Sequence, residues 1–188
     1  MNIDNSLIKS LNHWGGAHNS LIKVASNDFV YLVILLSAVW FFNRIFQTHR
    51  IRGNFKNLAT DLVIKGLIIF VIPVGVSTLV SELISMIYVR SRPFVAVPGV
   101  HLLVPHGADG GMPSHHMVFM VSGLTMIYAF NKNYGATLLV LTVASGIARI
   151  SAGIHYPSDI LAGLFIGWLI STSYLVFLRR RYPEVIKI

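Results

Sequence analysis

The stretch FVYLVILLSAVWFFNRIF, residues 29–46, is apolar over nearly the length of a membrane-spanning helix. A helix that crosses a bilayer needs about 20 mostly apolar residues. Four further apolar runs follow the first, at residues 58–89, 116–130, 136–151 and 159–178. The run 58–89 is too long for one straight span and too short for two, so we predict one helix that bends near Pro73 and Gly75. The chain is therefore predicted to be an all-α polytopic membrane protein with at least five spans.

The composition supports this class. The chain has 188 residues, of which 54% are hydrophobic and 12% are charged. A soluble domain carries about 25% charged residues, so soluble and disordered chains are disfavoured. Cysteine is absent, which excludes disulfides and a thiolate nucleophile. We interpret the net charge of +8 as basic residues that flank membrane spans and contact lipid, with no nucleic acid as partner. Residues 1–188 are expected to form a single domain.

The basic residues also predict an orientation. In an alternating bundle, the loop after the first span, the turn after the third span and the tail lie on one side of the membrane. These segments carry Arg44, Arg50, Arg52, Lys56, Lys132, Arg179, Arg180, Arg181 and Lys187. The positive-inside rule makes this side cytoplasmic. The N-terminus, the loop 91–112 and the turn near His155 are then expected to face outward.

Two segments do not read as ordinary spans. Residues 1–26 mix apolar and polar side chains without a signal-peptide pattern, and they predict either an interfacial amphipathic helix or a plain surface segment. Residues 91–112 show no helical or strand pattern, but they are too apolar for disorder. We interpret this loop as a lid or re-entrant segment beside a functional site, with a passive plug as the alternative.

Polar residues collect at one set of helix ends. Arg92 follows the second span, Arg149 lies near the end of the fourth span, and the third and fifth spans open with further polar residues. The residues at the starts of the third and fifth spans are Ser114, His115, His116, His155 and Asp159. Alternating spans place all of these on the outer side. Charged groups at membrane depth are costly and usually functional, so we interpret this convergence as a site.

The residue types indicate the chemistry. Arginine forks bind phosphate oxygens in a bidentate manner, and a helix start offers free backbone N–H groups to the same oxygens. Histidine acts as a nucleophile or as an acid. An aspartate four residues after a histidine can hold the imidazole in one tautomer. The set predicts phosphoryl transfer through a phosphohistidine, with no metal and no cofactor required.

The order and spacing of these residues resemble the type 2 phosphatidic acid phosphatase (PAP2) superfamily. The motifs of that family are KxxxxxxRP, PSGH and SRxxxxxHxxxD. The third motif is matched by ARISAGIHYPSD, residues 148–159. The stretch RPFVAVPGVHLLVPHGADGGMPSHH, residues 92–116, further resembles the bacitracin-resistance-type branch of bacterial undecaprenyl-diphosphate phosphatases.

The resemblance implies roles for individual residues. His155 is the nucleophile, Asp159 orients it, and His116 is the general acid. The phosphoryl oxygens are bound by Arg92, Ser114 and Arg149. The resemblance also implies a family core of six helices, so the segment 1–26 is alternatively an extra helix in a bundle of five to six spans, with the site at the outer helix ends.

Three positions depart from the family motifs. The lysine of the first motif falls at Ser85, and Arg90 is the candidate replacement among the phosphate-binding residues. The second motif has His115 where glycine is usual, and we count this side chain with the phosphate-binding set. The third motif has Ala148 in place of serine.

Three more polar residues have open or ordinary interpretations. His101 and His106 lie in the long loop, and we favour solvated loop histidines over metal ligands for both. Glu82 lies near the outer end of the second span. It is expected either to hold Arg90 or Arg92 or to reach the membrane interface.

By this resemblance, the chain is expected to dephosphorylate undecaprenyl diphosphate at the outer or periplasmic face of a bacterial inner membrane. This activity would recycle the lipid carrier of cell-wall synthesis and confer bacitracin resistance. Phosphatidate, phosphatidylglycerophosphate and a lipid A phosphate remain alternative substrates. Outside this class, the alternatives are a lipid-phosphate transporter or binding protein and a zinc-dependent hydrolase. The sequence does not indicate an oligomeric state.

Overall fold

Helices and their connecting loops make up the fold. The computed structural model describes residues 3–53 and 55–184; Lys187 of the predicted basic tail and the side chain of Arg52 lie outside this part. The helices are α1 (Ile3–Ala17), α2 (Asn19–Ile51), α3 (Leu58–Ile87), α4 (Pro93–Ala96), α5 (His115–Phe130), α6 (Lys132–Ser151) and α7 (Pro157–Arg181). The expected all-helical architecture is confirmed.

Five of these helices are apolar. By length and composition, α2, α3, α6 and α7 can cross a membrane, and α5 is apolar but only 16 residues long. α2 begins at Asn19, ten residues before the predicted first span, and α1 is a separate helix outside the apolar group. The described residues therefore supply five candidate spans, and α1 does not add a sixth.

α5 forms the centre of the bundle. It packs against α7, α6, α3 and α2. Its side chains are buried around most of its circumference, including Met117, Val118, Met120, Met126 and Ile127. A helix that is hydrophobic all round is expected to be enclosed by others. The short length of α5 is thus compatible with its position, because its neighbours form the lipid-facing surface.

Two glycines set the distance between α5 and α7. A Cβ atom on Gly163 would lie 2.7 Å from the backbone oxygen of Ser114, and one on Gly167 would lie 2.3 Å from Cγ1 of Val121. Small residues four positions apart let two helix backbones approach closely. This contact brings the start of α5 against the first turns of α7.

α3 is one continuous helix, as predicted for residues 58–89. Its α-helical geometry is interrupted by a π-helical turn at Leu67–Val71, just before Pro73. Proline has no N–H to donate to the preceding turn, and π-turns are common places where a helix changes direction. The predicted bend near Pro73 thus coincides with a real departure from α geometry.

α1 lies across the end of the bundle at which α5 and α7 begin and α6 ends, which we call the site end. The side-chain amide of Asn12 donates to the carbonyls of His101 and Ser151, 2.8 Å each, and its oxygen accepts from the N–H of His101 at 2.8 Å. A Cβ on Gly15 would lie 2.9 Å from the carbonyl oxygen of Ser151. These contacts fix α1 to both α6 and the long loop.

The loop 91–112 is folded onto the same end. The N–H of Phe94 donates to the carbonyl of Gly153 at 3.0 Å, and the N–H of Leu103 donates to the carbonyl of Ala152 at 3.1 Å. Val97, Val100 and Val104 are buried. The loop is therefore part of the packed structure, which explains its apolar composition.

The glycine contact generates a stability prediction. Gly167→Ala inserts a methyl group against Val121 in a packed interface, where overpacking costs about 1–3 kcal/mol. Gly123→Ala is the matched control, because it also lies within a helix but its Cβ would meet nothing within 4 Å. We expect thermal unfolding in detergent to show a lower midpoint for Gly167→Ala and an unchanged or higher one for Gly123→Ala. Equal midpoints would contradict this packing.

Candidate active site

A polar cleft of about 390 Å³ opens at the site end of the bundle. Its walls come from the end of α3, the loop 91–112, the start of α5, the end of α6 and the turn before α7. The lining side chains with ionisable or hydrogen-bonding groups are Glu82, Ser85, Arg92, His106, Asp109, His115, His116, Arg149 and His155. Chain segments separated by up to about 70 residues therefore meet here, as the alternating spans predicted.

His155 lies at the base of this cleft, 3% exposed. Its Nδ1 lies 2.8 Å from the carbonyl oxygen of Gly111, and its Nε2 lies 3.3 Å from Nη2 of Arg149 and 3.5 Å from Nη1 of Arg92. A carbonyl only accepts and a guanidinium only donates. Both contacts therefore assign the proton to Nδ1 and leave the lone pair of Nε2 between the two arginines.

Both of these arginines are held by other groups. Arg92 donates from Nε to Asp109 at 2.9 Å, from Nη1 to the carbonyl of Ile154 at 2.9 Å and from Nη2 to the carbonyl of Gly110 at 3.1 Å. Arg149 donates from Nη1 to the carbonyl of Ser26 at 2.9 Å. The three bonds of Arg92 fix its guanidinium plane, and the single bond of Arg149 holds one of its terminal nitrogens.

Some polar groups of the site have no partner within the described part of the chain. The Nε of Arg149 and the hydroxyl of Ser114 are buried without a hydrogen-bond partner among the described residues. Ser114 immediately precedes α5, whose first turn presents backbone N–H groups and the positive end of the helix dipole. His116 lies in that first turn and lines the cleft. These groups suit oxygen atoms of a bound anion.

Asp159 lies beside His155 and also caps the start of α7. Its Oδ2 accepts the N–H of Tyr156 at 2.8 Å, and this oxygen lies 3.7 Å from Nδ1 of His155. The hydrogen bond that fixes the imidazole therefore goes to the carbonyl of Gly111, because the carboxylate is used to cap the start of α7. Asp159 still lies close enough to act on His155 electrostatically.

Arg90 lies outside the cleft lining and contacts two carboxylates. Its Nη1 donates to Asp159 at 2.8 Å and to the hydroxyl of Ser158 at 2.6 Å, and its Nη2 donates to Asp4 at 3.0 Å. Its guanidinium carbon lies 3.7 Å above the ring of Tyr156. Two carboxylates, Asp4 and Asp159, thus hold Arg90 behind His155.

Ser85 and His115 occupy the wall where the motifs depart from the family. Both line the cleft, and the hydroxyl of Ser85 donates to the carbonyl of Glu82 at 2.8 Å. The carboxylate of Glu82 lies 3.3 Å from Nε2 of His115. Glu82 therefore lies beside His115 and not beside Arg90 or Arg92, although Nε2 of His115 makes no hydrogen bond among the described residues.

Sequence reasoning missed two side chains of the cleft. His106, interpreted as a solvated loop histidine, lines the cleft with its ring centroid 6.5 Å from that of His155. Asp109, in the glycine-rich turn before α5, anchors Arg92. The single carboxylate in an otherwise apolar loop was the available signal for Asp109.

The charges of the cleft shift the pKa of both residues. Burial and the positive charges of Arg92 and Arg149 lower the pKa of His106, against a hydrogen bond to Gly107. Burial raises the pKa of Asp109, but the bond and charge of Arg92 outweigh it and the net pKa is lowered. Asp109 is therefore ionised when it binds Arg92.

Possible metal ligands are not clustered. Within residues 3–53 and 55–184, no three side chains of the types His, Cys, Asp or Glu are grouped so that they could hold a metal ion.

The fold and the cleft define a helical membrane protein with a histidine–arginine site at one end of its bundle. The sequence profile of the PAP2 superfamily matches residues 66–183, more than half of the chain. The chain belongs to the PAP2 superfamily.

Two curated relatives extend this comparison. The chain is 28% identical over 173 residues to the undecaprenyl-diphosphatase BcrC of Bacillus subtilis, which covers 90% of this chain and 80% of that protein. It is 35% identical over 108 residues to the bacitracin transport permease protein BcrC of Bacillus licheniformis, which covers 57% of this chain. That second match spans about half the length of the relative, 51%.

A solved structure supports the fold. The phosphatidylglycerolphosphate phosphatase of Bacillus subtilis, a transmembrane PAP2-type protein, superimposes with a TM-score of 0.60 at 17% identity. The superposition covers 95% of this chain and 87% of the other chain. At this identity the likeness concerns the fold alone.

The arginines around His155 generate a titration prediction. Burial first, and the charges of Arg149 and Arg92 next, lower the pKa of His155 well below the usual 6.5. The folded protein should therefore keep this imidazole neutral at pH 6.5, where an unfolded chain holds it about half protonated. Nitrogen NMR of histidine-labelled protein, assigned with His155→Asn, should show a neutral ring carrying its proton on Nδ1. A half-protonated ring at that pH in the folded protein would contradict the arrangement.

Proposed function

We propose that this protein is a membrane phosphatase that converts undecaprenyl diphosphate to undecaprenyl phosphate through a phosphohistidine on His155. One observation carries the proposal: the lone pair of His155 Nε2 lies between the guanidinium groups of Arg149 and Arg92, 3.3 and 3.5 Å away. A nucleophile flanked by two fixed cations suits the phosphorus of an anionic phosphoryl group.

The reaction begins when the terminal phosphoryl group enters the cleft. Its oxygens accept hydrogen bonds from Arg92, Arg149 and the hydroxyl of Ser114, while the positive end of α5 adds attraction. Nε2 of His155 then forms a bond to phosphorus, and the bond between phosphorus and the bridging oxygen breaks. The Nδ1–H bond to the Gly111 carbonyl and the nearby carboxylate of Asp159 stabilise the positive charge that develops on the ring.

His116 completes the cycle. It donates a proton to the bridging oxygen as lipid monophosphate departs. It then takes a proton from water, whose oxygen attacks the phosphohistidine and releases inorganic phosphate. The P–N bond breaks in this step, and its electron pair returns to Nε2 of His155. The proton that His116 gives to the leaving group is thus returned by water, and neither step requires a metal ion or a cofactor.

The choice of substrate rests on the relatives and on the cleft. The Bacillus subtilis relative is named an undecaprenyl-diphosphatase and aligns over most of both chains. The donors of the cleft suit a phosphoryl group. The cleft also opens at one end of a bundle whose surface faces lipid, and this position suits a lipid whose head group reaches the membrane surface. The corresponding biological role is recycling of the cell-wall lipid carrier and resistance to bacitracin. Phosphatidate, phosphatidylglycerophosphate and a lipid A phosphate share the group that the cleft would bind.

The proposed orientation places the cleft at the outer face of a bacterial inner membrane. The end of the bundle opposite the site end carries basic residues of three segments: Arg44, Arg50, Lys132, Arg179, Arg180 and Arg181. Basic residues prefer the cytoplasmic side. Undecaprenyl diphosphate would then be hydrolysed outside the cell or in the periplasm.

A transporter is the alternative outside the enzyme class, in line with the name of the Bacillus licheniformis relative. Transport of an anion needs the arginines. It does not need a histidine held in a nucleophilic tautomer with a second histidine in the same cleft. The two histidines therefore favour catalysis.

The proposed function first predicts turnover without a metal ion. Purified protein in detergent with excess EDTA should release phosphate from undecaprenyl diphosphate, and His155→Ala should abolish the release because it removes the nucleophile. His13→Ala, a histidine exposed on α1, is the matched control and should keep full activity. If the protein hydrolyses only phosphatidate or another lipid phosphate, the proposed substrate is wrong. Loss of activity in EDTA would refute the metal-free mechanism. If the protein hydrolyses none of these lipids, the transporter is favoured.

The second prediction concerns His116. On undecaprenyl diphosphate, His116→Ala should lower turnover by about 10²–10⁴, the usual contribution of general acid–base catalysis. On 4-nitrophenyl phosphate the leaving group needs no proton, so we expect the first step to survive while hydrolysis of the phosphohistidine slows.

The variant should therefore release a burst of nitrophenolate equal to the amount of enzyme and accumulate phosphorylated protein. Stopped-flow absorbance and labelling with radioactive phosphate measure the two quantities. If the variant gives no burst although it folds and binds vanadate, His116 does not act as the acid and base.

A further inference from the structure

A second cluster of charges lies behind His155 and reaches the first turn of α1. Asp4 accepts hydrogen bonds from Nη2 of Arg90 at 3.0 Å, from the hydroxyl of Ser158, and from the N–H of Ser158 at 3.3 Å. The side chains of Asp4 and Arg90 are 17% and 21% exposed. This carboxylate precedes the residues 66–183 that match the family profile, so the family motifs do not assign it a role.

Arg90 connects Asp4 to the site. One of its terminal nitrogens binds Asp4, and the other binds Oδ1 of the fully buried Asp159 at 2.8 Å. The guanidinium also lies on the ring of Tyr156, which adds a cation–π contact. A planar fork that contacts two carboxylates and a ring can take only one orientation.

The pKa directions agree with a fully ionised pair. Burial opposes ionisation of Asp4, but the bonds from Ser158 and Arg90 outweigh it and the net pKa is lowered. Burial likewise opposes the charge of Arg90, but the bond and charge of Asp4 and of Asp159 raise its pKa. Both groups therefore carry full charge in the folded protein.

Asp159 transmits this arrangement to the nucleophile. Its Oδ1 is held by Arg90, and its Oδ2 lies 3.7 Å from Nδ1 of His155. Because a carboxylate is planar, the Arg90 bond at Oδ1 and the Tyr156 N–H bond at Oδ2 together set its orientation. Rotation of the carboxylate would change the distance from Oδ2 to the ring on which positive charge develops.

Docking of α1 does not depend on Asp4 alone. Asn12 makes three hydrogen bonds to the long loop and to the end of α6, and Gly15 packs against Ser151. The carboxylate of Asp4 is therefore placed by a helix that is anchored elsewhere. This arrangement favours a role for the Asp4 charge beyond holding α1.

We propose that Asp4 and Arg90 are positioning residues that act through Asp159 on His155, so that α1 contributes to catalysis. The proposal rests on the phosphatase function proposed above. Asp4 fixes Arg90, Arg90 orients and charge-balances Asp159, and Asp159 stabilises the imidazolium that forms when His155 attacks phosphorus. None of the three lines the cleft.

The main test compares Asp4→Asn with Asp28→Asn. Asparagine keeps the shape of Asp4 and removes its charge, and Asp28 is an exposed carboxylate elsewhere in the N-terminal part. Since misplacement of a catalytic group by 1 Å can cost about 100-fold, we expect Asp4→Asn to lower kcat about 10- to 100-fold with KM nearly unchanged. Asp28→Asn should leave both constants as they are, and Asp4→Glu should restore part of kcat.

A double-variant cycle tests whether Asp4 acts through Arg90. If Asp4 acts only through Arg90, then Asp4→Asn combined with Arg90→Lys should lose no more activity than Arg90→Lys alone. Losses that multiply would overturn the proposal, as would an Asp4→Asn variant that behaves like Asp28→Asn. A change in KM or in the unfolding midpoint without a change in kcat would indicate a purely structural role.

Nitrogen NMR of His155 gives a readout that does not require turnover. Asp4→Asn should shift the Nδ1 resonance of His155, and Asp28→Asn should leave it in place. If wild-type protein hydrolyses no lipid phosphate but this shift occurs, the proposed function fails and the positioning network stands. If wild-type protein is active but the shift and the loss of kcat are both missing, the network fails and the function stands.

Discussion

The two buried guanidinium groups of Arg92 and Arg149 on either side of His155 are the constraint on which the rest of the structure depends. Like charges in a poorly solvated place repel each other, and they stay there only if other groups compensate. Asp109 and the carbonyls of Ile154 and Gly110 hold Arg92, whereas the carbonyl of Ser26 holds Arg149. Ser26 belongs to the π-helical turn Val24–Asp28 of α2. Local irregularity in a helix otherwise suited to crossing a membrane thus places an acceptor where the second arginine needs one.

Close backbone packing is the second requirement, because the side chains of the cleft come from different helices and loops. Gly163 lets the start of α5 approach α7, and Gly153 allows the turn between α6 and α7 to pass close to the long loop. Gly153 has a φ of 78°, and a Cβ there would lie 2.6 Å from the carbonyl oxygen of His101. A side chain at either position would move the first turn of α5, the loop or His155 relative to one another. The small residues therefore set the geometry of the cleft as directly as the charged ones do.

The sequence alone predicts the apolar helices and most of the cleft, because hydrophobic runs and spaced polar motifs are local patterns. It does not predict the acceptor for His155 Nδ1, since the Gly111 carbonyl is a backbone atom that any residue carries. It also misplaces Arg90, which looks like a cation free for phosphate until Asp4 and Asp159 are seen beside it. Asp4 is separated from Arg90 by 86 positions, and only the docking of α1 brings the two together. The motifs thus identify which residues come together, whereas the hydrogen-bond partner of each residue depends on the whole fold.

The N-terminal part of the chain has more influence on the cleft than the family motifs imply. The profile of the superfamily begins at residue 66, yet Ser26 holds Arg149 and Asp4 holds Arg90 from before that point. The carbonyl of Ser26 orients Arg149, which faces the cleft, and the carboxylate of Asp4 orients Arg90, which lies behind it. Because these two contacts lie outside the motifs, they can differ between chains that share the same histidines and arginines. The electrostatic balance around His155 therefore depends on contacts from the first helix and from the π-turn of the second, in addition to the residues of the motifs.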